Sequence, residues 1–224
     1  MASEFQRARR PEQVAERRAE ILQVARELLA EHRLAEISLR ELSSQVGLAK
    51  SNVLRYFDSR EGIFLELLDV EWRTWLDELE GSSEVMTLSR ARHARPIAVA
   101  DRLTESLAER PLLCELLSSL ASVLEHNISL EYARNFKARA AENAVRLREW
   151  LRANLPNLEK ATAHYLAGAV TLVAGALWSY QRPSANVALV NKEMGGLPAQ
   201  PFVDNLRVGL RTYLVGASEL HGLL

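Results

Sequence analysis

The chain has 224 residues, of which 48% are hydrophobic and 25% charged, a balance that excludes a disordered tail or a fibre and indicates a folded core. Lys and Arg number 28 and Asp and Glu 29, so a polyanion would have to be bound by basic residues that are concentrated locally. The single cysteine excludes a disulfide framework, and the N-terminal residues MASEFQRARRPEQ lack the apolar core of a signal peptide, so we expect a cytoplasmic protein.

Apolar residues recur at intervals of three and four along the chain, and no stretch alternates over the length of a strand, which predicts an all-α protein. The first helix is expected from about Val14 to His32, with one apolar and one charged face. Residues 1–13 are expected to form a flexible basic arm that contains Arg7, Arg9 and Arg10. This arm fits either a solvated leader or a segment that enters the minor groove of DNA.

Two short helices are predicted to follow the first one. Ser38 and Glu41 have the spacing of a capping box, so a helix begins at Leu39. Gly47 provides the left-handed residue that ends this helix, and a second short helix is expected at about Lys50–Tyr56. Two short helices joined by a glycine-containing turn form a helix-turn-helix, whose second helix enters the major groove of DNA.

The outer side of this motif has residue types that suit nucleic acid. The apolar residues expected on its inner side are Leu39, Leu42, Val46, Val53 and Phe57. The residues left to point outward are Lys50, Ser51, Asn52, Arg55 and Tyr56. Asparagine pairs with adenine, arginine with guanine and serine with either, while lysine and tyrosine bind phosphate oxygens. Four basic residues stand against two acidic ones from Ser38 to Arg60, so the local charge has the sign that DNA binding requires.

A long helix is expected from about Ser59 to Glu80, and at about 1.5 Å per residue it would span roughly 30 Å. A loop from Glu84 to Arg95 is expected to follow. Further helices, each with proline, serine or asparagine near its start, are predicted at about Pro96–Glu109, Pro111–Glu125, Ser129–Ala153, Leu158–Gln181 and Pro201–Leu220. The connection from Arg182 to Gln200 has room for a further helical turn.

The segment Ala161–Gln181 contains no Asp, Glu, Lys or Arg and is long enough to cross a bilayer. Its His, Thr and Ser residues and its many Ala and Gly residues make its transfer into lipid only weakly favourable. We therefore expect a helix that is buried on nearly all sides by protein, and no membrane partner. A membrane-anchored sensor is the alternative.

The segment ISLRELSSQVGLAKSNVLRYFDSREGIFLELL closely resembles the DNA-binding domain of the tetracycline-repressor (TetR) family of bacterial transcriptional regulators, and the resemblance extends from about Ala15 to Trp72. In that family the third helix contacts base edges, and groups at the ends of neighbouring helices hold phosphates. The resemblance implies that Lys50, Ser51, Asn52 and Arg55 face the groove, that Tyr56 and Arg60 contact the DNA backbone, and that Ser38 and Arg40 lie at the start of the second helix. Ala49, Leu54 and Arg33 stand where the family commonly has serine, tyrosine and glycine, and Leu54 suits a thymine methyl group instead of a phosphate.

The second half of the chain is expected to bind a small molecule, because the resembled family does so in a pocket built partly by its long fourth helix. Aromatic residues with enough bulk to line an apolar cavity lie on the predicted helices. The predicted effector-pocket residues are Trp72, Trp75, Leu117, Phe136 and Trp178. Ordinary core packing is the alternative for each of them.

Two of the later helices have stripes of small and apolar residues that allow a second helix to approach closely. Two such helices from each of two chains would make a four-helix interface, and core packing within one chain is the alternative. A dimer suits DNA recognition, because it pairs two reading helices, the second helices of the two helix-turn-helix motifs. When a two-fold axis relates them, they match a palindrome. The predicted interface residues are Gly168, Leu172, Gly175, Ala176, Ser179, Phe202, Leu206, Leu210 and Tyr213.

The sequence gives little support for an enzyme. The histidines are scattered without metal-ligand spacing, and Cys114 lies in an apolar helix. We expect no metal, no cofactor and no enzymatic activity.

The sequence predicts a homodimeric transcriptional repressor with a helix-turn-helix DNA-binding domain at residues 14–57 and a helical effector-binding and dimerisation domain at residues 58–224. It would bind a palindromic operator, join the bacterial nucleoid when bound, and be released by a small-molecule effector. A helical small-molecule carrier or enzyme, in which the N-terminal motif is only structural, is the alternative.

Overall fold

The computed structural model of the protein describes residues 2–82, 91–195 and 201–219, with side chains from residue 11 onward. Within these ranges the chain is helical without any β-strand, and the prediction of an all-α protein is confirmed. Residues 83–90, which include the first seven residues of the predicted loop from Glu84 to Arg95, lie outside the described residues. The described helices are α1 (Ala2–Glu31), α2 (Leu39–Val46), α3 (Lys50–Val53), α4 (Arg60–Gly81), α5 (Ala94–Ala108), α6 (Pro111–Ser119), α7 (Leu130–Asn154), α8 (Lys160–Tyr180), α9 (Ala185–Glu193) and α10 (Phe202–Glu219).

The chain divides into two compact units, and their division differs from the expected boundary after residue 57. The first unit contains the chain up to Glu71 together with Ser119–Ala138, and the second contains Trp72–Ser118 and the chain from Arg139 onward. The first part of α4 belongs to the first unit because its side chains bind α1. Glu66 and Glu71 of α4 form ion pairs with Arg18 and Arg26 of α1.

Helix α1 begins at Ala2, well before the expected start at Val14, so the segment predicted to be a flexible arm is helical. The physical reason is composition: Ala, Glu, Gln and Arg favour the helix, and glycine is absent from this stretch. Pro11 lies inside the helix, where it removes one backbone hydrogen bond. The apolar face of α1 is buried at Ile21, Ala25, Leu28 and Leu29.

The start and end of α2 are as predicted. The backbone N–H of Glu41 donates to Ser38 Oγ at 3.1 Å, and the N–H of Ser38 donates to Glu41 Oε2 at 3.5 Å, which confirms the capping box. Gly47 ends the helix with φ 71°, a left-handed conformation that glycine adopts without a steric penalty. The turn into α3 therefore has the geometry that the motif requires.

Helix α3 is shorter than the expected Lys50–Tyr56, since regular α-helical structure ends at Val53. The chain continues to Phe57 in tighter turns, in which Arg55 N–H donates to Asn52 O at 3.2 Å and Tyr56 N–H donates to Val53 O at 3.0 Å. Phe57 is buried, and α4 begins three residues later at Arg60. Regular α-helical hydrogen bonding therefore gives way to a mixture of i→i−3 and i→i−4 bonds before the buried Phe57.

In the second unit, α8 packs with only one of its faces. The buried residues of α8 are Ala163, Leu166, Ala167, Val170, Thr171, Ala174 and Gly175. The opposite face is exposed, so the expectation that this helix is buried on nearly all sides is wrong within one chain. Among the described helices, α8 is the one whose length and apolar composition would allow it to cross a membrane, which is weak support for a membrane span because core helices share these properties.

Two elements differ from the single helices that the sequence predicted. Helix α6 ends at Ser119 and is followed by a π-helical turn, Leu120–Leu124, in place of a continuous helix to Glu125. In the connection after α8, the expected helical turn is a nine-residue helix, α9. Ser184 caps α9, and none of its residues is buried.

Candidate functional site

The residues predicted to contact bases lie on the surface of the first unit. Lys50, Ser51, Asn52 and Arg55 are exposed, and Tyr56 is half-buried. The Arg55 side chain forms no hydrogen bond or ion pair with the described residues, so its guanidinium is available to an external acceptor. Beneath this surface Leu42, Val53 and Phe57 are almost completely buried. The motif thus has the solvent-facing polar side and apolar inner side that recognition of DNA requires.

The flanking predicted contacts, Ser38 and Arg40, are also exposed. Ser38 uses its hydroxyl oxygen to accept the backbone N–H of Glu41, and this bond fixes the start of α2. Leu54, the residue expected at a thymine methyl group, is 41% exposed. An exposed leucine next to the reading residues offers apolar contact to a base edge.

Arg60 is placed differently from the prediction that it contacts DNA. Its Nε donates to the carbonyl oxygen of Ile37 at 2.6 Å, and a second guanidinium nitrogen donates to the carbonyl of Leu34 at 2.5 Å. It also pairs with Glu61 at 2.7 Å, and its side chain is only 18% exposed. The guanidinium therefore faces inward and joins the start of α4 to the segment before α2. The family resemblance implied a contact with the DNA backbone, and the inward hydrogen bonds of Arg60 join residues 23 and 26 positions apart, which the local sequence does not indicate.

Arg18 holds the turns that follow α3, a role that sequence reasoning missed. Its guanidinium donates to the backbone carbonyl of Tyr56 and to the Glu66 carboxylate, and it lies 4.3 Å from the centroid of the Phe57 ring. The periodicity of α1 assigns Arg18 to the charged, outer face, and no local signal distinguishes it from Arg17. This contact fixes the backbone at the end of the reading segment.

The start of α7 holds the other side of the α3–α4 corner. The backbone N–H of Ser129 donates to Asp58 Oδ2 at 2.6 Å, and the Tyr132 hydroxyl donates to the carbonyl of Gly62 at 2.6 Å. A Cβ atom at position 62 would lie 3.2 Å from the Tyr132 ring, so a larger residue there would require the ring to shift by a few tenths of an ångström. The corner is therefore fixed by side chains from both α1 and α7.

The predicted effector-pocket residues do not all have the same role. Trp75 is fully buried, and its Nε1 donates to Ser106 Oγ on α5 at 3.0 Å. Trp178 is half-buried, and its Nε1 donates to Glu115 Oε2 at 2.9 Å. The indole N–H groups of these two residues are thus satisfied by the protein itself, as ordinary packing requires.

The indole of Trp72 is different. The side chain is 7% exposed, and its Nε1 is buried without a hydrogen-bond partner among the described residues. Leu117 is half-buried on α6 with its backbone against Gly175, while Phe136 is buried in the first unit. Of the predicted set, Trp72 is therefore the residue whose side-chain hydrogen-bond donor has no partner among the described residues.

A small cavity of about 160 Å³ in the second unit lies elsewhere. Its lining residues are Arg95, Pro96, Leu155, Pro156, Asn157, Leu158 and Ser218, none of which was predicted. Its volume is below the ~300–1,000 Å³ typical of ligand sites. This cavity does not match the predicted effector pocket.

The predicted dimer residues separate into two groups. Leu172 and Tyr213 are 73% and 43% exposed, and Gly168, Ala176 and Ser179 are exposed with them. The other group is buried within the single chain, so its assignment to an interface was wrong. Its members are Gly175, Phe202, Leu206 and Leu210. The reason is that α8 packs against α6 and α10: a Cβ at Gly175 would lie 2.9 Å from the Leu117 carbonyl, and the Phe202 ring packs edge-on to Trp178 at 5.1 Å.

Cys114 is buried, and burial raises the pKa of its thiol to about 12. The thiol donates to the carbonyl of Leu107 at 3.5 Å. It therefore stays protonated at neutral pH and is a poor nucleophile. In the part of the chain that the structure describes, no group of three or more His, Cys, Asp or Glu residues is placed to hold a metal ion.

Several solved structures share this fold at low sequence identity. A TetR transcriptional regulator from Rhodococcus sp. RHA1 has 16% identity and a TM-score of 0.57, with 93% of this chain and 97% of that chain covered. The regulator FadR from Bacillus subtilis, in complex with stearoyl-CoA, has 13% identity and a TM-score of 0.54, with 89% and 98% covered. The fatty acid degradation regulator FadR from Bacillus halodurans has 14% identity and a TM-score of 0.52, with 92% and 96% covered.

Two family models match adjoining parts of the sequence. Residues 21–67 match the model described as bacterial regulatory proteins, tetR family, and residues 69–220 match the one described as tetracyclin repressor-like, C-terminal domain. A search of curated proteins gave no match. Together the two family models extend over most of the chain and include the helix-turn-helix, so this protein belongs to the TetR family of DNA-binding transcriptional regulators.

Proposed function

We propose that the protein is a repressor that binds a palindromic operator as a homodimer and leaves the DNA when a small-molecule effector binds to its C-terminal domain. The observation that carries the proposal is the exposed set Lys50, Ser51, Asn52 and Arg55 on a motif held in place by buried residues. These side chains offer base-specific hydrogen bonds without first breaking strong contacts within the protein. Family membership supports this assignment.

The dimer is proposed on the basis of the exposed apolar face of α8. Leu172 is 73% exposed and Tyr165 is 59% exposed, with Gly168 and Ala176 beside them on the same face. Contiguous apolar surface of this kind is rare on monomers and is typical of interfaces. Small residues on the face allow a partner helix to approach closely. A second copy of the chain is the occupant that also explains how two reading helices would be paired.

The effector is proposed to reach the DNA-binding unit through α4, since that helix contributes residues to both units. Trp72, on α4, is buried with an unpaired N–H, so a ligand with a hydrogen-bond acceptor would satisfy it. An effector that favours one position of α4 over another would shift the population away from the DNA-binding form. Long-chain acyl-CoA is a sensible first probe, because the FadR structure from Bacillus subtilis contains stearoyl-CoA.

Selection from random-sequence duplex DNA tests the proposed function. The wild-type protein is expected to enrich a two-fold symmetric site. Lys50→Ala and Arg55→Ala should each weaken binding to that site by about 10- to 100-fold, the discrimination of one good polar contact. Lys192→Ala removes the same charge from an exposed position on α9 and should leave binding unchanged.

The measurement is fluorescence anisotropy of the selected duplex at fixed salt. If no symmetric sequence is enriched, or if the Lys50 and Arg55 variants bind as tightly as the Lys192 variant, the assignment of the reading surface is wrong. In that case the alternative of a helical carrier or enzyme gains support. No membrane is needed for any step, and we propose that the protein acts in the cytoplasm, on the nucleoid.

A further inference from the structure

A groove between α1 and α3 lies beside the predicted reading residues, within the first unit. Its volume is about 400 Å³. We call it the α1–α3 groove, and its lining residues are Val14, Arg17, Leu48, Asn52, Arg55 and Tyr56. Asn52, Arg55 and Tyr56 belong to the predicted DNA contacts, while Val14, Arg17 and Leu48 were not expected from the sequence. The groove therefore extends the reading surface onto α1.

The chemistry of this lining suits an anion that has an apolar part. Both charged residues in the lining are arginines, and no acidic residue is among them. Asn52 and Tyr56 add neutral hydrogen-bond donors. Val14, 46% exposed, and the half-buried Leu48 provide apolar contact. A deoxyribose joined to a phosphate combines these two properties, because the sugar offers C–H surface and the phosphate accepts bidentate hydrogen bonds from arginine.

Arg17 is available to such an anion at small cost. Its only described partner is Glu20, one turn along the same helix, and the two side chains are 40% and 49% exposed. Exposed ion pairs of this kind contribute little to stability. Its neighbour Arg18 is instead held by Tyr56, Glu66 and Phe57. Adjacent arginines thus differ: Arg18 fixes the backbone next to the groove, and Arg17 lines the groove itself.

We propose that the α1–α3 groove binds a phosphate of the DNA backbone, and that Arg17 exchanges its contact with Glu20 for this phosphate. Glu20 then limits DNA affinity, because it competes with the phosphate for the same guanidinium. DNA is the source of the phosphate because a duplex lying on Asn52, Arg55 and Tyr56 also covers the groove that these residues line. The inference rests on the proposed function for its operator, although the phosphate contact itself is independent of base sequence.

The salt dependence of binding tests the proposal. Each phosphate contact contributes about 0.9 to the slope of log affinity against log salt for duplex DNA. Arg17→Ala should therefore lower this slope by about 0.9 per protomer and weaken binding at low salt. Glu20→Gln should strengthen binding at low salt, with the gain shrinking as salt rises. The measurement is fluorescence anisotropy of the selected operator and of a duplex of unrelated sequence.

Arg26→Ala is the matched control. Arg26 also lies on α1, is also ion-paired, with Glu71, and its side chain is 39% exposed against 40% for Arg17. It does not line the groove, so its removal should leave the salt slope unchanged. Equal slopes for the wild type, Arg17→Ala and Arg26→Ala on both duplexes would overturn the proposal.

The two duplexes separate this inference from the proposed function. If Arg17→Ala lowers the slope of log affinity against log salt on unrelated DNA, the phosphate site is supported even when no operator is found. The proposed repressor function then fails while the phosphate site stands. Titration with inorganic pyrophosphate distinguishes a free anion from DNA as the source. Saturable pyrophosphate binding that Arg17→Ala abolishes, together with unchanged slopes on DNA, would assign the groove to a free phosphate ligand and overturn the DNA-backbone assignment.

Discussion

Arg60 is a case in which a charged residue acts as part of the core. Its three guanidinium contacts reach the carbonyls of Ile37 and Leu34 and the carboxylate of Glu61. Leu34 and Ile37 have buried side chains, at 0% and 1% exposure. Without Arg60 the Leu34 carbonyl would keep the backbone N–H of Ile37 at 3.3 Å, whereas the Ile37 carbonyl would lose the donor that Arg60 provides, which costs the desolvation of that group. Arg60 therefore contributes to stability by satisfying the backbone before α2.

We expect Arg60→Ala to lower the free energy of unfolding by about 2–3 kcal/mol. The variant loses the charge-assisted hydrogen bonds from the guanidinium to the backbone carbonyls of Ile37 and Leu34. For a chain of this size the melting temperature should fall on the order of 5–10 °C. Thermal unfolding followed by circular dichroism at 222 nm measures the effect. The variant should still bind DNA with the wild-type salt slope at temperatures where it is folded.

Arg40→Ala provides the comparison for Arg60, since Arg40 is exposed and its removal leaves no buried carbonyl unpaired. Its melting temperature should match that of the wild type. If Arg60→Ala melts like the wild type and instead loses DNA affinity as Arg55→Ala does, then Arg60 contacts DNA as the family resemblance implied, and its inward position is not the one used on DNA.

At the level of the element, local chemistry predicted some boundaries and tertiary packing determined others. The capping box at Ser38 and the left-handed Gly47 were predicted because both depend on residues within one turn. The early end of α3 was not predicted, because no glycine or proline follows Val53 in the sequence to mark the end of the helix. Likewise, no local signal in α1 indicated that Arg18 binds the Tyr56 carbonyl, since that contact joins residues 38 positions apart.

The same limit applies to the faces of α8. Gly168 and Gly175 both lie in the part of α8 that follows Lys160 and contains no Asp, Glu, Lys or Arg, and the sequence placed both on one dimer face. The structure separates them, because α6 covers Gly175 and nothing lies within 4 Å of a Cβ built at Gly168. Sequence periodicity identifies a helix and its apolar character, but the choice of partner for each face depends on contacts far apart along the chain.

These two glycines give a matched pair of substitutions on α8. Gly175→Ala should lower the free energy of unfolding by about 1–3 kcal/mol, because the new Cβ would lie 2.9 Å from the Leu117 backbone, and α6 would have to move. For the chain as a monomer, Gly168→Ala should be neutral or should raise stability by about 0.5–1 kcal/mol, since alanine favours the helix and its Cβ meets no atom of the same chain. Urea unfolding at a fixed protein concentration measures both variants. Equal midpoints for the two variants would show that α6 does not press on α8 at Gly175.

At the level of the whole molecule, the second unit has apolar side chains on the outer sides of α8 and α10 that one chain does not cover. The most exposed of these are Leu172 and Tyr180, each at 73%, with Val208 at 64% and Tyr165 at 59%. Of these, Leu172 belongs to the predicted interface residues, whereas four other predicted interface residues lie in the core of the same unit: Gly175, Phe202, Leu206 and Leu210. Each helix thus has one face for its own chain and another that remains open, and a second copy is the proposed occupant of the open face.

Leu172→Glu tests whether this open face holds two copies together. A buried carboxylate at the centre of an apolar interface lacks a partner, so the variant should sediment as a monomer at micromolar concentration while the wild type sediments as a dimer. Loss of the second reading helix should then weaken operator binding by about 100-fold or more, because the two half-sites are no longer bound together. Analytical ultracentrifugation and anisotropy measure the two effects.

Val145→Glu adds the same charge at a 39%-exposed position on α7 and should change neither. A wild-type monomer, or a Leu172→Glu variant that remains dimeric, would place the dimer contact elsewhere or remove it.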